Sequence, residues 1–95
     1  MSIELIPNNP RCHCIGLAND VWFTILRESL IGDVIGRKYN NDPLRISRKA
    51  ALHCAEILLH WQPPQNWYYG CSMDGYSLKS DLVEFFKNCN GFITS

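Results

Sequence analysis

The hydrophobic positions of this chain recur with helical spacing in three segments. In the first segment, apolar side chains return every three or four residues: Val21, Trp22, Ile25, Leu26 and Leu30. Such spacing is typical of an amphipathic helix. It predicts a first helix over about residues 20–31, with Asn19 as its N-cap and Gly32 as its end.

The second segment has a wider apolar arc, which follows Ser47. Its members are Ala50, Ala51, Leu52, Cys54, Ala55, Ile57, Leu58, Leu59 and Trp61. We predict a second helix over residues 47–61, capped by Ser47 and ended before Pro63-Pro64. Because the arc is wide, this helix is expected to be covered on more than one side and to lie centrally.

A third apolar stripe precedes the C-terminus. It contains Leu78, Leu82, Phe85, Phe86 and Cys89. The stripe predicts a third helix over residues 77–89, capped by Ser77. Asn90-Gly91 is suited to end it, because glycine readily adopts the left-handed conformation found after helices.

Short segments at the two termini are predicted to be strands. Residues 2–6 alternate in part before Pro7, and residues 92–94 can return beside them. Residues 11–18 are expected to be extended or irregular. Residues 32–46 are not assigned to an element: Asn40-Asn41-Asp42-Pro43 predicts a turn, and the alternative is that Asp42-Pro43 begins the second helix early. The predicted fold is therefore a single α+β domain of residues 1–95, mainly helical, with terminal strands that can pair.

Composition narrows the classes of function. The 95 residues are 46% hydrophobic and carry a formal net charge of zero. A neutral chain has no overall field for nucleic acid or membrane, and little repulsion against self-association into a homo-oligomer. No apolar run has the roughly 20 residues of a membrane helix, and no secretory signal is visible. The five cysteines are an odd number, so we expect reduced thiols and a cytoplasmic location.

The triplet Cys12-His13-Cys14 is the candidate metal site, because thiolate and imidazole are ligands of zinc and copper. A second pair of ligands would have to include His53 or Cys54, which diverge by about 100° around a helix. Two further interpretations remain. The cysteines are small half-buried thiols at a bend, or they respond to redox conditions.

Five of the nine basic residues lie within thirteen positions: Arg37, Lys38, Arg45, Arg48 and Lys49. Arg48 and Lys49 open the second helix, where the helix dipole disfavours positive charge. The cluster is a candidate surface for an acidic protein or a phosphate backbone, although a solvated face would have the same composition. No DNA- or RNA-binding motif accompanies it.

An aromatic loop follows the second helix and contains Trp67, Tyr68 and Tyr69. Aromatic residues in loops are typical of binding hot spots. The alternative is a lid over one end of the core, with Trp67 buried.

The sequence contains no set of residues that predicts catalysis. Cys71 and His60 are the nearest approach to a nucleophile and a base, but their spacing is not specific. Asp81 and Glu84 share a helical face, which is interpreted as a solvated surface. We therefore expect no enzyme activity and no cofactor.

The pattern Asn19-x-x-Trp22-x-x-x-Leu26, an alanine-rich central helix and a terminal Asn90-Gly91-Phe92 resemble those of short, uncharacterised bacterial proteins. The resemblance spans most of the chain and implies a small bacterial or phage-like domain. It carries over no functional residue.

These features together predict a small intracellular protein-binding module, of the kind in which an inhibitor or immunity protein occupies its partner. A metal- or redox-responsive domain that uses Cys12, His13 and Cys14 is the first alternative. A nucleic-acid-binding accessory protein is the second.

Overall fold

Four strands and four helices make up the described part of the chain. The computed structural model describes residues 2–37, 43–64, 67 and 75–95. In chain order the elements are β1 (Ser2–Pro7), β2 (Ile15–Ala18), α1 (Asn19–Glu28), α2 (Ile31–Ile35), β3 (Arg45–Ile46), α3 (Arg48–Leu59), α4 (Gly75–Asn88) and β4 (Phe92–Thr94). The predicted α+β class is confirmed.

The strands form one sheet in the order β2-β1-β4-β3, and every neighbouring pair is antiparallel. The predicted pairing of the terminal segments is confirmed, since Leu5 lies opposite Thr94. Ile3 and Leu5 are buried, whereas Glu4 is exposed. One face of the sheet therefore packs against the helices.

Strand β2 shows that residues 15–18, part of the segment 11–18 that was expected to be extended or irregular, are extended. Residues 15–18 pair with β1, so that Leu17 lies opposite Ile3 and is buried. Gly16 and Ala18 are exposed. These four residues contain little strand preference of their own, and the pairing with β1 makes them a strand.

The predicted first helix over residues 20–31 is wrong at its C-terminal end, where a break at Ser29 separates α1 from α2. The Ser29 hydroxyl donates a hydrogen bond to the Ile25 carbonyl oxygen at 2.6 Å. It also accepts one from the Ile31 amide at 3.2 Å. One buried serine therefore closes the first helix and satisfies a free amide of the second.

Gly32, which was predicted to end the helix, lies inside α2. A Cβ atom at this position would collide with the Leu26 carbonyl oxygen. The missing side chain therefore allows the short helix to fold back against the end of α1. Asn19 is also not the N-cap: it is the first residue of α1, and Ala18 occupies the cap position without a side-chain hydrogen bond.

The two longer helices agree with the predicted segments to within about two residues. Ser47 caps α3 as predicted, because its side-chain oxygen accepts a hydrogen bond from the Ala50 amide at 3.2 Å. Helix α4 begins two residues earlier than predicted, at Gly75, so Ser77 lies within the helix and the prediction that it is the N-cap is wrong. Asn90 and Gly91 both have positive φ and end it as expected.

The core lies between the helices and the sheet. Helix α3 packs most extensively on α4 and also on α2, whereas α1 contacts α2 and strands β1 and β2. The rings of Phe85, Phe86 and Phe92 pack with centroids 5.5 to 5.8 Å apart, which joins α4 to β4. Within the described residues, no helix has the length and apolar character needed to cross a bilayer.

Candidate functional site

Helix α3 is covered on more than one side, as expected, because it packs on α4 and α2, and its remaining face is exposed. Leu52 and Leu59 lie two turns apart on this face and are 39% and 48% exposed. Glu56 is exposed between them, and Arg48 and Lys49 are exposed in the first turn. We refer to these five residues as the α3 outer face. It combines a basic end with an apolar middle.

Three basic side chains lie together where β3 leads into α3. Arg45 is the first residue of β3, and Arg48 and Lys49 follow Ser47 in the first turn of α3. All three are exposed, and none forms a salt bridge with the described acidic residues. The first turn of α3 also contains no acidic residue. These positive charges are therefore available to an external partner.

The other predicted members of the basic cluster differ from these three. Arg37 forms an ion pair with Asp33 on α2. Lys38 lies outside the described residues, as do Tyr68 and Tyr69 of the aromatic loop. The structure thus brings together three of the five basic residues that the sequence grouped.

The indole of Trp67 belongs to the core. Only 6% of the residue is exposed, and its Nε1 donates a hydrogen bond to the Val21 carbonyl oxygen at 3.0 Å. Its ring packs edge-on against Trp61 with centroids 5.2 Å apart. Of the two interpretations of the loop, this position agrees with the lid, and the Trp67 ring is not accessible to a partner.

An apolar groove of about 390 Å³ adjoins α3 on the side of α1. Its lining includes Leu30, Ile57 and Trp61, together with the exposed His53 and His60. Leu30 is 63% exposed because the break at Ser29 turns it outward while Ile31 enters the core. The groove extends the apolar surface of α3 around the helix.

Cys12, His13 and Cys14 do not form a metal centre with other described residues. No group of three His, Cys, Asp or Glu side chains in the described residues could hold a metal ion. Burial, followed by the nearby Cys14, raises the pKa of the half-buried Cys12 thiol. A raised pKa disfavours the thiolate that binds metals or attacks disulfides.

His53 and Cys54, which would have to supply the second pair of metal ligands, also lie in different environments. His53 is exposed on α3, whereas Cys54 is fully buried. Burial, together with Cys89, raises the pKa of the Cys54 thiol to about 12. Cys54 therefore behaves as a small core residue.

Sequence reasoning assigned Leu52 and Leu59 to the core and so missed them as surface residues. The width of the apolar arc of α3 could have indicated this exposure, because the arc is wider than one packing partner covers. It also missed a cavity between the β1–β2 loop and α4 that is lined by Arg11, Asp81 and Glu84. No spacing rule joins residues so distant in sequence.

The residues from which a resemblance to short bacterial proteins was predicted are largely structural. Trp22 and Leu26 are buried in α1, and Phe92 is buried in β4. Comparison with family models, with curated proteins and with solved structures finds no match to this chain.

Proposed function

We propose that this protein is a protein-binding module, of the inhibitor or immunity type, that acts by occupying an acidic surface of its partner through the α3 outer face. The observation that supports this most is the continuity between unpaired positive charge and exposed leucines on one helix. Arg45, Arg48 and Lys49 lie at one end, and Leu52 and Leu59 extend from them.

The leucines favour a protein partner over nucleic acid. A phosphate backbone would contact the basic end and leave Leu52 and Leu59 in water. A protein interface instead has an apolar centre with charged groups at its rim. The formal net charge of zero also provides no overall attraction to nucleic acid.

The positive charges of the α3 outer face lie at one end of the helix only. Positive groups at one end of α3 would steer an acidic partner during encounter, and the leucines would then be covered. Arg48 and Lys49 also lie where the helix dipole is unfavourable to them, at a cost of about 0.3–1 kcal/mol each. An acidic partner would relieve that cost.

The proposed location is the cytoplasm, in a bacterial cell. The four described cysteines are free thiols, which suits a reducing compartment. The bacterial source is what the resemblance implies and is part of the same proposal.

The test is to recover a partner from bacterial lysate on the immobilised protein and to measure its affinity for matched variants. Leu52→Ser combined with Leu59→Ser is expected to weaken binding at least tenfold, about 1.4 kcal/mol or more. Arg48→Gln is expected to lower mainly the association rate and its dependence on salt. Arg27→Gln, an exposed change on α1, is the control and should leave binding unchanged.

Equal affinity for all variants would refute the α3 outer face as the binding surface. Retention on DNA or RNA that disappears with salt would instead favour the nucleic-acid alternative. Because these side chains are exposed, thermal melts should confirm that each variant is folded.

A further inference from the structure

A second concave surface lies between the loop that joins β1 to β2 and helix α4. The cavity has a volume of about 630 Å³. One wall is the loop, which contributes Arg11 and His13, and the other is α4, which contributes Asp81 and Glu84. Cavities of a few hundred Å³ are typical of small-molecule sites.

The loop wall is held in place by hydrogen bonds to the end of α4. The Asn9 amide donates to the Cys89 carbonyl oxygen at 2.9 Å, and its side-chain Nδ2 donates to the Asn88 carbonyl oxygen at 2.8 Å. The Asn9 side-chain oxygen accepts from the Arg11 amide at 3.0 Å. The two walls are therefore fixed relative to each other before any ligand arrives, which reduces the entropy lost on binding.

The walls carry opposite charges that do not pair with each other. Arg11 is exposed on the loop, and Asp81 and Glu84 are exposed one turn apart on α4. Among the described residues, no salt bridge crosses the cavity. A ligand with two ends of opposite charge could satisfy both walls at once.

Between the charged walls lies an apolar surface formed by Ile15 and Phe85. Phe85 is only 3% exposed, and its ring packs edge-on against Phe86 and Phe92. This surface is therefore rigid and suited to an apolar side chain of the ligand.

From this arrangement we infer that the cavity binds a short free peptide of two or three residues with apolar side chains. Its carboxylate would lie against Arg11, its ammonium group against Asp81 and Glu84, and its side chains over Ile15 and Phe85. Two carboxylates on one wall disfavour a phosphate or nucleotide, and Arg11 on the other disfavours a polyamine. This site shares no residue with the α3 outer face, although Glu84 and Leu59 both line a smaller pocket between α3 and α4, and the inference does not depend on the function proposed for that face.

The first test uses the dipeptide leucyl-leucine, titrated into the ¹⁵N-labelled protein and followed by amide chemical shifts. We expect saturable shifts at Ile15 and Phe85. N-acetyl-leucyl-leucine lacks the ammonium group and leucyl-leucine amide lacks the carboxylate, so each should bind about tenfold more weakly. Spermidine and inorganic phosphate should each produce no saturable shifts at these positions.

Matched variants then assign each end of the peptide to one wall. Arg11→Gln should weaken binding of leucyl-leucine about tenfold but leave the C-terminal amide unaffected. Asp81→Asn combined with Glu84→Gln should weaken leucyl-leucine similarly but leave the N-acetyl form unaffected. Glu28→Gln, an exposed change on α1, is the control and should bind normally.

Three results would overturn the inference. The first is the absence of saturable shifts at Ile15 and Phe85 with millimolar leucyl-leucine. The second is equal affinity for the free and blocked dipeptides. The third is tighter binding of spermidine or phosphate than of the dipeptide. Circular dichroism melts of Arg11→Gln and the double variant should match the wild type, because all three side chains are exposed.

Discussion

At the residue scale, Gly91 joins the helical layer to the sheet. It follows Asn90, and both have positive φ, at 88° and 59° respectively. A Cβ atom on Gly91 would lie 2.8 Å from both the Asn8 Nδ2 atom and the Ile46 carbonyl oxygen. The chain therefore turns sharply from α4 into β4 at a point where two other segments leave no space for a side chain.

Gly91→Ala is expected to lower the free energy of unfolding by roughly 2–4 kcal/mol, because left-handed strain and steric overlap add together. Gly16→Ala on β2 is the matched control, since no heavy atom lies within 4 Å of an added Cβ there. Urea denaturation of both variants measures the difference. Equal stability of the two would contradict this account of Gly91.

At the element scale, single serines decide where helices begin and end. Ser29 closes α1 and opens α2 through one hydroxyl group. Ser47 caps only the start of a helix, α3, and ends none. The break at Ser29 also changes the surface of the protein, because it exposes Leu30, which lines the groove beside α3.

Ser47→Ala should lower the free energy of unfolding by about 1 kcal/mol, because the Ala50 amide loses its capping acceptor. Ser80→Ala, an exposed change within α4, is the control and should cause no loss, since alanine is the better helix former. Thermal or urea unfolding provides the measurement. If Ser47→Ala were as stable as the wild type, the Ser47 cap would contribute nothing to stability.

At the scale of the whole molecule, folding buries two cysteine thiols in the core. Cys54 of α3 and Cys89 at the end of α4 are both fully buried. Burial raises the pKa of both thiols, that of Cys54 to about 12. In the unfolded chain the same thiols would ionise near their usual pKa of about 8.5.

This difference predicts a loss of stability at alkaline pH. Below pH ~8.5 both states hold these protons, so the stabilisation is complete. Between about pH 9 and 12 only the unfolded chain ionises at Cys54. The free energy of unfolding should fall by about 1.4 kcal/mol per pH unit for this thiol.

Denaturant unfolding at several pH values between 8 and 11 measures this slope. Cys54→Ala should be less stable at neutral pH but should show a smaller slope. Ser80→Ala, an exposed change that removes no ionisable group, should retain the wild-type slope. If Cys54→Ala and wild type lose stability in parallel, another group causes the loss.

The candidate sites illustrate how far sequence reasoning reaches. Arg48 and Lys49 could be placed at the start of a helix because Ser47 and the apolar period identify that helix. Trp67 could not be assigned to core or surface, because its burial depends on Trp61 and the Val21 carbonyl oxygen. The cavity beside α4 was not predicted, although Asp81 and Glu84 were placed on one helical face, because the cavity joins residues 11–15 to residues 81–88.

The sequence by itself determined the α+β class, the three main helical segments, the Ser47 cap, the stop at Asn90-Gly91 and the terminal strands. These features depend on local periodicity and on backbone preferences, which neighbouring residues are sufficient to specify. Tertiary structure alone decided the break at Ser29, strand β2 and the exposure of Leu52 and Leu59. Each of these depends on which distant segment lies alongside, because strand pairing and burial are properties of contacts between elements.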